Sequence, residues 1–499
     1  MKVVLVSFYG QPKELFSAPL LPLPLLYLGT YLKENNYEVI LQDIDLNDNI
    51  EHYVNQTLSY DPILVGISAR FGLYTDYYIK YSRMIKKANP YIPIVWGGVH
   101  ASAIYDLCLK ESYIDFVICG EGEISLFELL KAIEGKIPFN TVRNLCYKNN
   151  NELKKNSIIF ESNIDKFKID FTLLNNYEKY IENYRGQRLF NSYITSRGCP
   201  FNCSFCYNNM FNKRRWRAHS IQRVINDILQ LKRIVDFDRI TLVDDQFFAN
   251  EKRARIIIEE LFNIGVSIHN PDMRIENITE ENLKLLMKTG CKEIFVGTES
   301  DSNRVLKFIK KQTTKEKIIE KFSIISKFPQ IKVFTNFIFG LPSHTLEEIY
   351  NSLDFIYYHT KKIKNLKIGV TTYLPLPGTE LYDIICKSNV EKPSNILFWS
   401  GFSLSKKGQF EKYKNFDWLN FSKKDIILLN KIYFFMTYYN SVIPTTDSSL
   451  TYKVFSLPFF ISASLRLKYK FFYYSNFEAK LFFFLFKLLK KIKYFIKKL

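Results

Sequence analysis

Ser196-Arg197-Gly198-Cys199-Pro200-Phe201-Asn202-Cys203-Ser204-Phe205-Cys206-Tyr207 brings three thiols within eight residues, spaced C-x3-C-x2-C. The run follows directly on Leu189–Thr195, an apolar stretch whose pattern predicts a β-strand. A short loop at a strand end can wrap its sulfurs around a compact inorganic core, as iron–sulfur ligation requires. A closed four-iron cluster takes four thiolates. Three leave one iron open to a non-protein ligand, the arrangement that metal sites adopt when they do chemistry. A structural zinc site calls for a fourth Cys or His, and His219, the nearest, lies thirteen residues beyond Cys206. Zinc and chance clustering of structural cysteines are the weaker alternatives.

Outward from this loop the chain alternates strands and helices in both directions. Towards the C-terminus the pattern predicts helices over Ile221–Ile234, Lys252–Asn263, Glu280–Thr289, Thr314–Ser326 and Thr345–His359. Strands are predicted over Arg239–Val243, Ser267–His269, Glu293–Gly297, Lys332–Phe339 and Lys367–Tyr373. With Leu189–Thr195 these make a full or partial β/α barrel, whose chemistry sits at the carboxyl ends of its strands. Towards the N-terminus, strands over residues 2–8, 38–42, 63–68, 92–96 and 116–119 alternate with helices over 25–35, 77–89, 102–110 and 125–134. That series predicts a doubly wound parallel sheet. The expected fold class is therefore α/β: a first domain over residues 1–140, a connector with a small hairpin over 141–188, the barrel over 189–400, and a helical, aromatic and basic region over 401–499.

The cysteine loop resembles the cluster motif of the radical SAM superfamily, in which an aromatic residue, here Phe205, precedes the last cysteine. The resemblance implies that Cys199, Cys203 and Cys206 hold a 4Fe-4S cluster. S-adenosylmethionine would bind the open iron and be cleaved by one electron to methionine and a 5′-deoxyadenosyl radical. Phe205 and Tyr207 would lie near the adenine. Leu242-Val243-Asp244-Asp245-Gln246-Phe247 is similar to the D-D-x-F signature of the cobalamin-dependent branch, with Asp245 near S-adenosylmethionine; capping of the next helix is the competing reading of the paired acids. Phe295-Val296-Gly297-Thr298-Glu299-Ser300 resembles the G-x-E-S segment at the ribose, with Glu299 and Ser300 as contacts. Gly340-Leu341-Pro342 resembles the turn beneath the adenine, and Pro375-Leu376-Pro377-Gly378-Thr379 the family's last strand-end turn. Singly these are ordinary turn punctuation; their order and strand-end placement make the set specific.

The first domain resembles a B12-binding module. Ser68-Ala69-Arg70 is followed after twenty-six residues by Gly97-Gly98, matching an S-x-L…G-G spacing, and Gly120-Glu121-Gly122-Glu123 resembles the loop that closes the pocket. Ser68, Gly97, Gly98, Gly120 and Glu121 are thereby implied as cobalamin contacts. The D-x-H-x2-G element departs: the first loop reads Leu21-Pro22-Leu23-Pro24-Leu25-Leu26 and holds no histidine. This implies cobalamin bound without a protein imidazole, with the Pro-rich loop beneath the corrin; a sheet retained as scaffold alone is the alternative. His100 reads as a capping or packing residue.

The resemblance implies a cobalamin-dependent radical SAM enzyme, a methyltransferase acting on an unactivated carbon of a small or lipid-like substrate and fed by an electron donor of the flavodoxin or ferredoxin type. Its rivals are a non-methylating cyclase or rearrangement enzyme of the same branch, an RNA-modifying relative and a non-catalytic cobalamin or redox sensor. Composition adds the setting. The formal net charge is +19, with 43 Phe and 33 Tyr. Residues 466–499 carry ten Lys and Arg against Glu478 alone, a net +9. A Phe- and Leu-rich tail with clustered lysines suits a peripheral helix on the inner face of a membrane, or equally a helix packed on the barrel; it is too apolar for a phosphate-tracking arm, which sets nucleic acid aside. No signal-like N-terminus and no apolar run of membrane-spanning length is present, and the expectation is a cytoplasmic protein in which clustered cysteines serve metal chemistry.

Overall fold

The computed structural model describes residues 1–10, 18–70, 72, 74–342, 344–387, 393–399, 421–443, 450–470, 472, 479–482 and 484–485. Five parallel strands, β1 (Lys2–Tyr9), β2 (Glu38–Asp45), β3 (Leu64–Ser68), β4 (Ile94–Gly97) and β5 (Phe116–Ile118), form a sheet in the order β2-β1-β3-β4-β5. The strand β1 shows why both faces are covered. Val3 and Leu5 pack on one side with Leu25, Leu126 and Leu129, while Val4, Val6 and Phe8 pack on the other with Tyr78 and Tyr81. Runs that are apolar on both faces belong to parallel sheets with helices on either side. The strand order reverses between β1 and β3, the position where open α/β sheets bind ligands.

Three local features differ from the sequence pattern. The helix Ile50–Ser59 was not expected: it buries only Ile50, Val54 and Thr57, a stripe too narrow to stand out, and Asn49 caps it by accepting the Glu51 N–H at 3.0 Å. The expected helix over 102–110 is two short ones, Gly98–Ala103 and Tyr105–Cys108. The hairpin β6 (Leu145–Asn149) and β7 (Glu152–Lys155), expected within the connector, joins the first sheet antiparallel beyond β5.

The barrel is partial. Strand β8 (Ile181–Tyr184) lies antiparallel on β9 (Gln187–Tyr193). The short β10 (Ser196–Arg197) and β11 (Arg217–Ala218) clasp the base of the cysteine loop. Strands β12 (Arg239–Leu242) and β13 (Ser267–His269) continue from β9 in parallel. Strands β14 (Asp272–Arg274), β15 (Glu293–Glu299), β16 (Lys332–Phe339) and β17 (Leu366–Thr372) form a second parallel group. The two groups part at Asn270-Pro271, where Asn270 takes φ +45° and proline offers no N–H to a ladder. The helix Lys423–Val442 then covers β17, its Asn440 amide donating to the Ile368 carbonyl at 2.9 Å.

Two deeply buried imidazoles carry a consequence for stability. Burial pushes His100 down to about 3. It likewise lowers His219 to about 4 against the opposing pull of Asp165. Both stay neutral in the fold yet charge near 6.5 in an unfolded chain, so unfolding takes up protons below that pH. Stability is then complete above about pH 6.5 and falls as the pH drops towards 4, by up to about 1.4 kcal/mol per pH unit for each imidazole. Urea midpoints at about pH 7 and about pH 5 should differ accordingly; identical midpoints would contradict the burial.

Candidate functional site

The cysteine loop is closed as a ring by one carboxylate. The Asp245 side chain accepts the Gly198 N–H at 3.0 Å on one oxygen and the Tyr207 hydroxyl on the other, so the residues flanking Cys199 and Cys206 meet on the same group. Its neighbour Asp244 is buried and accepts the Thr195 N–H (2.9 Å), the Thr195 hydroxyl (2.7 Å) and the Ser196 hydroxyl (2.5 Å), fixing the strand end that delivers the loop. Neither acid caps a helix; Asn250 caps the following one. Gly198 sits at φ +83°, and a Cβ there would run into the Arg215 carbonyl. Inside the ring the Cys203 carbonyl accepts from the Cys206 N–H (3.1 Å) and the Asn209 side chain (2.7 Å). Burial pushes the Cys199 thiol up and the Cys206 thiol up to about 12, so ligation by these sulfurs releases protons.

One flank of the loop is cationic. The Arg274 guanidinium lies 3.8 Å from the Cys203 sulfur and 3.8 Å over the Phe201 ring, while also donating to the Lys311 carbonyl and, at 3.0 Å, to Glu276. Lys311 is buried and donates to Glu299 at 2.8 Å. Burial alone would lower the pKa of this ammonium, but the Glu299 carboxylate and the Cys203 sulfur outweigh it and hold the pKa above the ordinary lysine value. Glu299 itself has φ +68° at a register shift in β15, a conformation uncommon outside glycine and asparagine.

The other flank faces the first domain. A cavity of about 510 Å³ lies between the carboxyl ends of the first sheet and the barrel mouth. Ser68, Gly97, Gly98, Gly120 and Glu121 line it from one side, and Tyr207, Asp245 and Arg197 from the other. The two halves of the glycine motif interlock: the Ala69 N–H donates to the Gly97 carbonyl at 2.8 Å, and a Cβ on Gly98, at φ +88°, would stand 2.8 Å from the Ala69 oxygen. The Ser102 hydroxyl donates to the Gly98 carbonyl at 2.7 Å and accepts the Gly120 N–H at 3.0 Å, joining both glycine turns. Leu20, Leu21, Leu23 and Pro24 form an apolar wall of the same cavity, and no histidine is among its described lining residues. An apolar wall facing bare glycine backbone fits a flat macrocycle with a nucleotide tail.

Arg197 and Arg217 bind the flanks together. Arg197 donates to Glu121 at 3.1 Å and to Glu123 at 2.7 Å, and Arg217 reaches Glu121 at 2.6 Å. Desolvation would raise the Glu121 carboxyl, but the two guanidiniums overcome it and hold its pKa below the ordinary carboxylate value. Glu121, expected as a cobalamin contact, thus lines the cavity while spending both oxygens on arginines.

Of the expected site residues, Cys199, Cys203, Cys206, Phe205, Glu299, Ser300, Gly340 and Pro342 are not among those lining this cavity, which the cysteine loop reaches through Tyr207. Ser300 is buried and its hydroxyl accepts the Ser302 N–H at 3.1 Å, a turn contact. Gly340 takes φ +80°, as its turn requires. His219, the one candidate fourth zinc donor, is held between the Tyr27 hydroxyl (3.1 Å) and Asp165 (2.9 Å). Among the described residues no three His, Cys, Asp or Glu side chains converge on a single ion; thiols that serve different irons of one cluster stand wider apart than that. Sequence reading missed Arg197, Arg274 and Lys311. A signal was present for the first alone: Arg197 stands inside the cysteine motif.

Two family models match the chain: the Radical SAM superfamily over residues 193–356 and the B12 binding domain over residues 16–130. An uncharacterized methyltransferase of Pyrococcus horikoshii is 30% identical over 376 residues, which is 74% of this chain and 79% of that one. The chain belongs to the cobalamin-dependent radical SAM enzymes. Such enzymes use a 4Fe-4S cluster, S-adenosylmethionine and cobalamin, and the alternatives of a bare scaffold or an isolated sensor module fall away. The anaerobic magnesium-protoporphyrin IX monomethyl ester cyclase of Rubrivivax gelatinosus is also 30% identical, over 380 residues, 72% of this chain and 65% of its own. The cobalamin-dependent radical enzyme OxsB, solved with aqua-cobalamin and S-adenosylmethionine bound, shares the fold with a TM-score of 0.67 at 20% identity, over 98% of this chain and 75% of that one.

Glu121→Gln tests the junction between the two domains. It leaves Arg197 with the carboxylate of Glu123 alone and Arg217 with only the Glu161 carbonyl and the Asn212 side chain, a loss of about 3 kcal/mol or more. A thermal melt displaced downwards from wild type is expected; an unchanged melt would show that Glu121 does not balance the arginines.

Proposed function

We propose that Cys199, Cys203 and Cys206 hold the cluster at the barrel mouth and that the enzyme methylates an unactivated carbon of a small or lipid-like substrate. One observation supports this above the rest: a single cavity has the glycine motif of the first domain on one wall and the closed end of the cysteine loop, Tyr207 and Asp245, on the other. Cofactor chemistry of either kind would there act on one shared volume, the juxtaposition that transfer between them needs. When bound, the cofactors supply reductive cleavage of the sulfonium and a methyl group for transfer. The protein's own residues hold and orient. Asp245 keeps the loop closed, Arg274 and Lys311 place positive charge beside its sulfurs, and Glu299 offers a carboxylate to ribose hydroxyls. Ser300 and the Gly340-Leu341-Pro342 turn shape the adenine side, with Phe205 and Tyr207. Ser68, Gly97, Gly98 and Gly120 receive the cobalamin tail, and Leu21 to Pro24 form the apolar floor in place of an imidazole.

The similarity to a protein named as a methyltransferase supports methyl transfer. The similarity to a cyclase supports a second reading, ring closure without methylation. The electron would come from a flavodoxin or ferredoxin. No helix among the described residues is long and apolar enough to cross a membrane. The lysine-rich end of the tail, to which a peripheral contact with the membrane's inner face is assigned, lies outside the described residues.

Anaerobic reconstitution with iron, sulfide and hydroxocobalamin tests the assignment. Wild type should bind iron and corrinoid together and release 5′-deoxyadenosine from S-adenosylmethionine on reduction, with both cluster absorbance and nucleoside falling to background in Cys203→Ala. Methyl-labelled S-adenosylmethionine should mark the product; 5′-deoxyadenosine with an unlabelled product would favour ring closure. Full iron content and undiminished nucleoside in Cys203→Ala would overturn the site.

A further inference from the structure

The second C-terminal helix, Leu450–Tyr469, turns a face of large apolar side chains to solvent. Val454 is 66% exposed, and Leu457, Ile461 and Leu465 are each 51% exposed. Their spacing of three or four residues sets them in one line along the helix. The opposite side is well seated: Ala463 and Leu467 are buried, the Tyr438 hydroxyl donates to the Phe459 carbonyl at 3.2 Å, and the Arg466 guanidinium lies 5.1 Å over Phe435. The outward stripe is therefore not a helix waiting to be turned inward. A line of four such side chains on an otherwise packed element marks a contact surface.

Charge decides what covers it. Residues 450–470 contain no acid, and residues 466–499 carry a net +9. Phe482 is anchored beside the stripe helix, its ring 5.6 Å from Phe455, 5.3 Å from Phe459 and 5.7 Å from Tyr438. Lys487, Lys490, Lys491 and Lys493 follow within eleven residues of that anchor. A second copy of the chain would bring two cationic tails together. A bilayer with anionic headgroups meets both features, acyl boundary against the stripe and phosphate against the lysines.

We infer that the Val454-Leu457-Ile461-Leu465 face seats the protein on an anionic phospholipid surface. The inference rests on the proposed function only in pointing to a lipid-like substrate; seating itself needs no cofactor. It moves the membrane contact from the tail alone to a structured helix, with the lysines assisting.

Flotation of the full chain with vesicles tests this without cluster or cobalamin, so its outcome is separate from that of the cysteine assignment. Wild type should float with phosphatidylglycerol–phosphatidylethanolamine vesicles, less in high salt, and should stay at the bottom with phosphatidylcholine alone. Leu457→Ser/Ile461→Ser alters exposed positions only and should keep the wild-type melt while binding falls about tenfold or more. Should that pair misfold, Val454→Ser/Leu465→Ser serves the same purpose. Absence of flotation with anionic vesicles, or undiminished flotation of a folded double variant, would overturn the inference. So would a wild-type dimer in light scattering that the double variant converts to monomer, since the occupant would then be a second copy.

Discussion

A guanidinium shut away from water between two domains has only its acids for solvent, and Arg197 is in that position. It stands two residues before Cys199, and its partners Glu121 and Glu123 sit on the loop that follows the last parallel strand of the first sheet. The Tyr27 ring lies 4.6 Å beneath it, from the helix that opens the Pro-rich wall of the cavity. Apolar side chains of the same volume could hold such a junction as firmly. What they would lack is direction. Two carboxylates meeting two guanidiniums fix the angle at which the cysteine loop faces the glycine turns. The cavity owes its shape to that angle.

The backbone answers the same demand on each side. Gly98 and Gly198 both adopt left-handed conformations, and in both a Cβ would meet a carbonyl oxygen. Gly98 lets the Ser68-Ala69-Arg70 turn lie directly on the Gly97-Gly98 turn. Gly198 lets the cysteine loop fold back under β11. The close approach of both loops to their neighbours holds the two walls of the cavity as one unit.

The strands and most helices were readable from apolar runs and turn residues, because both faces of each sheet are covered and the pattern is correspondingly dense. The helix Ile50–Ser59 escaped because its three buried side chains are separated by polar ones. The strand β14, Asp272–Arg274, was not expected, because three residues after Pro271 have no period to detect. In the site, the three cysteines, Asp245 and the glycine pairs were legible since their spacing is local. The roles of Arg274 and Lys311 were not. Each depends on a partner across the barrel, the Cys203 sulfur and the Glu299 carboxylate, and sequence distance carries no trace of that. Glu121, expected as a cobalamin contact, lines the cavity, but its charge serves Arg197 and Arg217, partners that no local spacing announces.

The Gly297–Glu299 segment shows how a motif residue acquires a second meaning. Gly297 opens the G-x-E-S segment. In the structure a Cβ on Gly297 would stand 2.8 Å from a Glu299 oxygen and 2.9 Å from the Lys311 ammonium, so the cleared space is occupied by the ion pair. Lys311 takes one oxygen of the Glu299 carboxylate and so orients it. Arg274 is bound to the Lys311 carbonyl and faces the Cys203 sulfur. The Glu299 carboxylate and the Cys203 sulfur are thus two ends of one chain of contacts. Three contacts join Glu299 to Cys203, and the bare Gly297 backbone leaves room for the first of them.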